Sequence, residues 1–199
     1  MFFSNITDHM NIILIGCNTS DSSIWDCFLR RFKKEDYNVH FLDLMDRDNS
    51  ITIDTFAEEI YNNIQNTKNI ILIGLGFSGH IFYRVADLLV KNNKNLIKLL
   101  VVDSPPVTKR IEPSIDVCKI LLTSPIDELT IIETITSKGV VVCIAHNVMN
   151  INDSLPYLLQ INLDMLWNRR IMLIEGSHLQ SINTNPFGLF DCLELFIKY

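Results

Sequence analysis

Short apolar runs alternate with amphipathic segments along most of the chain. The apolar runs are rich in isoleucine, leucine and valine and lie at 11–16, 39–42, 70–73, 96–102, 140–145 and 170–174. Helical periodicity occupies much of the sequence between them, at 22–32, 54–64, 81–90, 114–122, 124–136, 155–159 and 186–199. Asp54 is expected to cap the second of these helices. Continuous apolar strands separated by helices are typical of a parallel sheet that is covered on both faces, so the pattern predicts an α/β fold.

Composition narrows the classes of protein to which the chain can belong. Its 199 residues, 48% hydrophobic and 20% charged, suit one folded domain over 1–199. A net charge of −6 without a Lys/Arg-rich face argues against nucleic-acid binding. No apolar run reaches the roughly 18 residues that span a bilayer, and the N-terminal residues do not resemble a secretory signal. Five cysteines without metal-ligand spacing predict reduced thiols, a cytoplasmic protein and no metal site.

The segment 70–80 (IILIGLGFSGH) combines a strand, a turn of small residues and the start of a helix. A strand, turn and helix in this order is the setting of the G-x-S-x-G motif, whose nucleophilic serine occupies a strained corner with positive φ. Two registers of the motif fit the segment, and they imply different chemistry. In the first, the motif is residues 76–80 and Ser78 is the nucleophile, although His80 then stands where a small residue is expected.

The second register begins the motif at Gly74 and puts Gly76 at the corner. Glycine tolerates positive φ but has no hydroxyl, so the nucleophile position then carries no nucleophile. Ser78 and Gly79 supply the small residues that follow the corner. This register is preferred, because it also aligns Ala86 with a position where the following helix needs a small buried residue.

Two further polar residues follow other strands of the predicted sheet. Asp103 comes directly after the run 96–102, and His178 follows the run 170–174. Ligands of open α/β sheets bind at the carboxyl ends of the strands, where both residues are expected to lie. The chain order of corner, acid and histidine is also the order that α/β-hydrolases use. We therefore expect Asp103 to orient the imidazole of His178, which acts as a general base.

Backbone N–H groups around the same turn are candidates for an oxyanion hole. One donor is expected from Cys17 or Asn18, because they follow the first strand. The other is expected from the residue after the nucleophile, which is Gly79 in the first register and Phe77 in the second.

These residues resemble the thioesterases of nonribosomal peptide and polyketide synthesis, within the α/β-hydrolase superfamily. The likeness is carried by segments at 12–16 with 22–25, 74–80 with 84–89, 101–106 and 175–178. The turn Asp103-Ser104-Pro105-Pro106 is the most telling, since thioesterases of this group place the triad acid after that strand. The resemblance implies an α/β-hydrolase-like fold with a mostly parallel central sheet, helices on both faces and a reduced lid at 107–138. It also implies that Asp103 and His178 are triad members.

The resemblance further implies a substrate, a partner and a biosynthetic setting such as antibiotic production. The substrate would be an acyl, polyketide or peptidyl chain held on the phosphopantetheine arm of an acyl or peptidyl carrier protein, with no other cofactor. Three functions remain open. The protein hydrolyses or cyclises its substrate with the His178–Asp103 pair alone, or it is a covalent thioesterase or esterase that depends on Ser78, or it binds a carrier protein without catalysis.

Overall fold

The computed structural model describes residues 10–15, 29–32, 37–42, 52–76, 78–102, 128–147, 170–174 and 186–198. Within these ranges one sheet contains the strands β1 (Asn11–Ile15), β2 (Asn38–Leu42), β3 (Ile70–Leu75), β4 (Leu96–Val102), β5 (Val141–Asn147) and β6 (Arg170–Ile174). The strand order is β2-β1-β3-β4-β5-β6, and every neighbouring pair is parallel. The helices of the same ranges are α1 (Ile53–Ile64), α2 (Ser78–Lys91), α3 (Glu128–Ser137) and α4 (Pro186–Lys198), with a short helical segment at 29–32. The parallel α/β fold class is confirmed.

Helices cover both faces of the sheet, which explains why the strands are apolar throughout. All six residues of β3 are buried. Ile70 and Leu72 belong to one core, which they share with α1, α2 and α3. Ile71 and Ile73 belong to the other core, which they share with α4 and Phe32 of the segment 29–32. Among the described helices, none is both long enough and apolar enough to cross a membrane.

The start of α1 differs from the prediction that Asp54 caps this helix. The N-cap is Thr52, whose Oγ accepts a hydrogen bond from the N–H of Thr55 at 3.1 Å. The cap lies two residues earlier than predicted, and the helix begins at Ile53, which is buried in the core. Asp54 instead lies in the first turn, where a carboxylate suits the helix dipole and where it pairs with Arg84 of α2 at 2.9 Å.

Helix α3 falls within the segment 107–138 that was predicted as a reduced lid. Its Ile131, Ile132 and Ile135 are buried in the core that α1 and α2 share. The helix also lies between β4 and β5 in the chain, which are neighbours in the sheet. This part of the segment is therefore a packed layer of the fold. The rest of the predicted lid, at 107–127, lies outside the described residues.

A buried lysine attaches α4 to the sheet. Lys98 of β4 donates from Nζ to the carbonyl oxygens of Phe196 at 2.8 Å and Ile197 at 2.9 Å. These carbonyls belong to the last turn of α4, where a cation is favoured by the dipole and by unpaired carbonyl groups. On its other side, α4 is joined to the segment 29–32 by an ion pair between Glu194 and Arg31.

Candidate active site

The six parallel strands end at the same edge of the sheet, and this edge is the candidate site. Gly74 of β3 is level with Ile15 of β1 and with Val101 of β4. The next residue, Leu75, is level with Val102, the last residue of β4. The sheet order reverses between β1 and β3, because β2 lies on the far side of β1. Ligands of open α/β sheets bind at such a switch point, outside the carboxyl ends of the strands.

The turn that leaves β3 at this edge has its corner at Gly76. This residue has a φ of 59°, in the left-handed region that glycine adopts readily and that strains other residues. Its N–H donates to the carbonyl oxygen of Val102 at 2.7 Å, which ties the corner to the end of β4. The backbone therefore follows the second of the two predicted registers, with Gly76 rather than Ser78 at the corner.

Strand β3 and helix α2 approach most closely at two glycines. A Cβ atom added at Gly74 would lie 2.8 Å from the Cα and 2.9 Å from the N of Gly79. Real Cβ atoms essentially never come this close to backbone, so position 74 has room only for glycine. Ala86, the small residue that the second register places further along the helix, is fully buried. Close packing thus accounts for the small residues on both sides of the corner.

Ser78 is the first residue of α2, and its hydroxyl is directed back to the strand. The Oγ accepts a hydrogen bond from the N–H of Leu75 and donates one to the carbonyl oxygen of Leu75, both at 2.7 Å. The residue is 0% exposed. The hydroxyl of Ser78 therefore joins the two ends of the turn. The sequence suggested no such role for Ser78, although a serine at a helix start is a common sign of a side-chain bond to backbone.

Gly79 and His80, which follow the corner, are also part of the packed structure of the turn and helix. The N–H of Gly79 donates to the carbonyl oxygen of Gly76 at 3.1 Å, so the oxyanion donor of the first register is already engaged. His80, which the first register puts where a small residue is expected, is only 1% exposed and lies in the buried first turn of α2.

The other predicted site residues, Phe77, Cys17, Asn18, Asp103 and His178, lie outside the described residues, and their roles remain predictions. Their neighbours in the chain are described. Asp103 follows the last residue of β4, and Cys17 follows β1 after one residue. His178 is the fourth residue after the end of β6.

The end of β5 also differs from the prediction. The strand extends to Asn147, two residues past the predicted end at 145, and so includes His146. Because Ala145 is level with the last residue of β4, β5 reaches two residues further along the same edge. His146 is thus a strand residue at the candidate site edge.

Comparisons with known proteins identify the fold. No protein-family model matches the sequence, and no curated protein matches it significantly. Many solved structures do match, at low sequence identity. The NocB thioesterase domain of the nocardicin cluster is 15% identical, with a TM-score of 0.63 over 95% of this chain and 94% of that one. A bromoperoxidase from Bacillus anthracis is 14% identical, with a TM-score of 0.70 over 96% of this chain and 92% of that one.

A third structure is the RedJ thioesterase of the prodiginine biosynthetic pathway in Streptomyces coelicolor. It is 11% identical, with a TM-score of 0.62 over 96% of this chain and 92% of that one. At such identities, the likeness is one of fold rather than of activity. These proteins are α/β-hydrolases, and the chain has the α/β-hydrolase fold that they share.

Proposed function

We propose that this protein is a thioesterase-like α/β-hydrolase without a covalent nucleophile. Its substrate would be an acyl, polyketide or peptidyl chain bound to a carrier protein through a phosphopantetheine arm. His178 would act as the general base and Asp103 would orient it, so that the thioester is hydrolysed or cyclised directly. Solved thioesterases among the structures that share the fold support the proposal.

The observation that carries the proposal is the identity of the corner residue. Gly76 has the positive φ of a nucleophile elbow but no side chain that can attack a carbonyl. The hydroxyl nearest in sequence, that of Ser78, is bonded to Leu75 on both sides and buried. The alternative of a covalent enzyme that depends on Ser78 would require this turn to open.

The described strands allow His178 and Asp103 to meet at the corner. Neighbouring strands lie about 4.8 Å apart, so β6 is about 10 Å from β4 and about 14 Å from β3. Four residues of extended chain after Ile174 span at most about 14 Å, which is enough to bring His178 above β4. Asp103 directly follows Val102, the last residue of β4, and the N–H of Gly76 bonds to the carbonyl oxygen of Val102. The spacing therefore suits a histidine and an acid that flank the corner.

The remaining groups supply the chemistry that such a site needs. The N–H of Phe77, together with that of Cys17 or Asn18, would stabilise the oxyanion that forms on the thioester carbonyl. General base catalysis contributes about 10²–10⁴-fold by itself, so an enzyme without a covalent step is physically reasonable.

Turnover of an acyl group on a phosphopantetheinylated carrier protein tests the proposal. We expect release of the acid or the cyclic product by the wild type and loss of at least about 10²-fold in His178→Ala, because the general base is removed. Asp103→Asn should lower the rate in the same direction. Absence of turnover, with retained binding of the carrier protein, would instead indicate the non-catalytic alternative.

Intact-mass spectrometry after treatment with a fluorophosphonate tests the covalent alternative separately. One of the neighbouring structures is a covalent complex of the NocB thioesterase domain with a fluorophosphonate nocardicin G analogue, so the reagent suits this fold. We expect no adduct on the wild type. A stoichiometric adduct that disappears in Ser78→Ala would replace the proposed mechanism by that of a serine thioesterase.

A further inference from the structure

We infer that His146 is a further residue of the candidate site, and that its imidazole N–H holds the carboxylate of Asp103 so that this acid can orient His178. The inference rests on the proposed function and adds a positioning residue to it. It is carried by the register of the parallel strands, which brings position 146 into one row with site positions that follow three other strands.

Four strands of the sheet are level with one another just before the candidate site. Val101 of β4 is level with Gly74 of β3 on one side and with Ile144 of β5 on the other. Gly74 is level in turn with Ile15 of β1. Two residues further along the chain from each of these come, in sheet order, Cys17, Gly76, Asp103 and His146. We call these four positions the end row.

The end row continues one face of the sheet. Alternate residues of a strand lie on the same face. The residues four positions before the end row are all buried in the core that α1, α2 and α3 share, and they are Ile13, Leu72, Leu99 and Val142. The four positions of the row therefore belong to the same alternation on every strand.

Three positions of the end row were predicted as site residues for separate reasons. Cys17 is a candidate oxyanion donor, Asp103 is the expected acid, and Gly76 is the corner of the turn, with a φ of 59°. His146 was not among the predicted site residues, because its strand was predicted to end at 145. The register joins these separate predictions in one row, and the same row includes residue 146.

Position 146 follows directly from the neighbour of the expected acid. Val102, the last residue of β4, is level with Ala145, and the next residues along the chain are Asp103 and His146. Neighbouring strands lie about 4.8 Å apart, so the two residues start from adjacent positions. On its other side, residue 146 is paired with Leu173 of β6, which makes its backbone part of the sheet. A site residue on a strand is held more rigidly than one on a loop.

The acid of a histidine–aspartate pair needs a donor for each of its oxygens. One oxygen of Asp103 would accept from His178, which leaves the other oxygen for a second donor. Buried polar groups are stable only when they are hydrogen-bonded, and a hydrogen bond to a carboxylate favours its ionised form. The ring N–H of His146 would be this second donor. It would hold the carboxylate in the orientation that His178 needs, without touching the substrate.

Variants at position 146 test the hydrogen bond. His146→Phe keeps a ring and removes the donor, so kcat for a carrier-bound acyl thioester should fall about 10- to 100-fold, with KM little changed. His146→Gln keeps an N–H donor and should recover most of this loss. Asn147→Ala, at the next residue and off the end row, is the matched control and should leave kcat nearly unchanged. Equal losses in the Phe and Gln variants would overturn the inference.

A double-mutant cycle shows whether His146 acts through Asp103. In the Asp103→Asn background, His146→Phe should lower kcat by less than about threefold further, because the carboxylate that it holds is gone. Two residues that act independently would instead give losses that multiply. Multiplied losses would overturn the inference.

An engineered disulfide tests the juxtaposition without any turnover. Level positions on neighbouring strands have Cα atoms about 5 Å apart, within the range that a disulfide bridges. Asp103→Cys combined with His146→Cys should therefore form a bond between positions 103 and 146 on oxidation, identified by peptide mass mapping. Asp103→Cys with Asn147→Cys, whose second cysteine lies off the end row, should not form one.

The two kinds of experiment separate the inference from the proposed function. A folded protein with cysteines at 103 and 146 but no bond between them would overturn the inference, even where the wild type turns over its substrate. The bond in a protein whose wild type has no turnover would uphold the position of residue 146 and reject the proposed function.

Discussion

The hydroxyl of Ser78 both accepts a hydrogen bond from the N–H of Leu75 and donates one to its carbonyl oxygen. Leu75 is the last residue of β3 and Ser78 the first of α2, so one side chain closes the turn that contains Gly76. In this structure the hydroxyl of Ser78 thus holds the two ends of the turn together.

Replacement of Ser78 by alanine should destabilise the protein. The buried N–H of Leu75 loses the partner that the hydroxyl provides, which costs about 1–3 kcal/mol. The free energy of unfolding in urea measures the loss. Ser137→Ala is the matched control, because the Oγ of Ser137 bonds to Thr134 at an exposed helix end, and a change within about 0.5 kcal/mol is expected there. Equal losses in the two variants would contradict the role given to Ser78.

Replacement of Gly74 by alanine should push α2 away from β3. The new methyl group would lie 2.8 Å from the Cα of Gly79, and overpacking of this kind costs about 1–3 kcal/mol. Hydrogen exchange of the amides in the first turn of α2 measures the displacement, and we expect faster exchange there. Gly139→Ala is the control: its φ of 84° strains any side chain, but the added methyl group meets no other atom, so the exchange of these amides relative to the rest of the protein should be unchanged. Unaltered exchange in Gly74→Ala would show that the turn tolerates the methyl group.

Replacement of Lys98 by methionine should loosen the end of α4. The carbonyl groups of Phe196 and Ile197 lose their buried donor, while methionine keeps most of the apolar stem in place. We expect a loss of about 1–3 kcal/mol in the free energy of unfolding and faster amide exchange in the last turn of α4. Lys138→Met, at an exposed lysine after α3, should change neither quantity measurably. Normal exchange in α4 of the Lys98 variant would disprove the attachment.

The stability of the fold should fall between neutral and mildly acidic pH, and His40 should contribute. Burial in β2 lowers the pKa of His40, so the unfolded chain binds this proton at a higher pH than the folded one. Stability that depends on neutral His40 is therefore present above the unfolded pKa of about 6.5 and is lost as the pH falls below it. Thermal unfolding of His40→Gln at pH 5.5 and 7.5 should show a smaller difference than the wild type. An unchanged difference would mean that other groups carry the dependence.

Most of the fold was predictable from the sequence because continuous apolar runs mark buried parallel strands. The strands at 96–102 and 170–174 were placed at their observed bounds, and the others within two residues. The start of α2 was placed late, since Ser78, Gly79 and His80 have the composition of a turn. They are helical and buried because the first turn of α2 packs directly on β3.

Other features depend on contacts that local patterns do not contain. The two registers of the elbow differ in whether Ser78 or Gly76 has the positive φ, and in the structure it is Gly76. Thr52 and Asp54 are both residue types that cap helices, and the cap is Thr52, next to the buried Ile53. Lys98 lies in an apolar strand whose sequence carries no sign of α4, because its partners are distant in the chain. Side-chain packing and hydrogen bonds between residues distant in the chain determine these three features.

The place of β1 in the sheet has a consequence for the rate at which the chain folds. This strand lies between β2 and β3, and its Asn11 is opposite Ile70. Its second partner, β3, is therefore far from β1 along the chain. Chain entropy must be lost to close that long loop before the pairing contributes any stability, and contacts of this kind slow folding. The docking of β1 against β3 is therefore expected to limit the folding rate. The same event assembles the edge at which the candidate site lies, so a chain in which β1 has not docked would lack that edge.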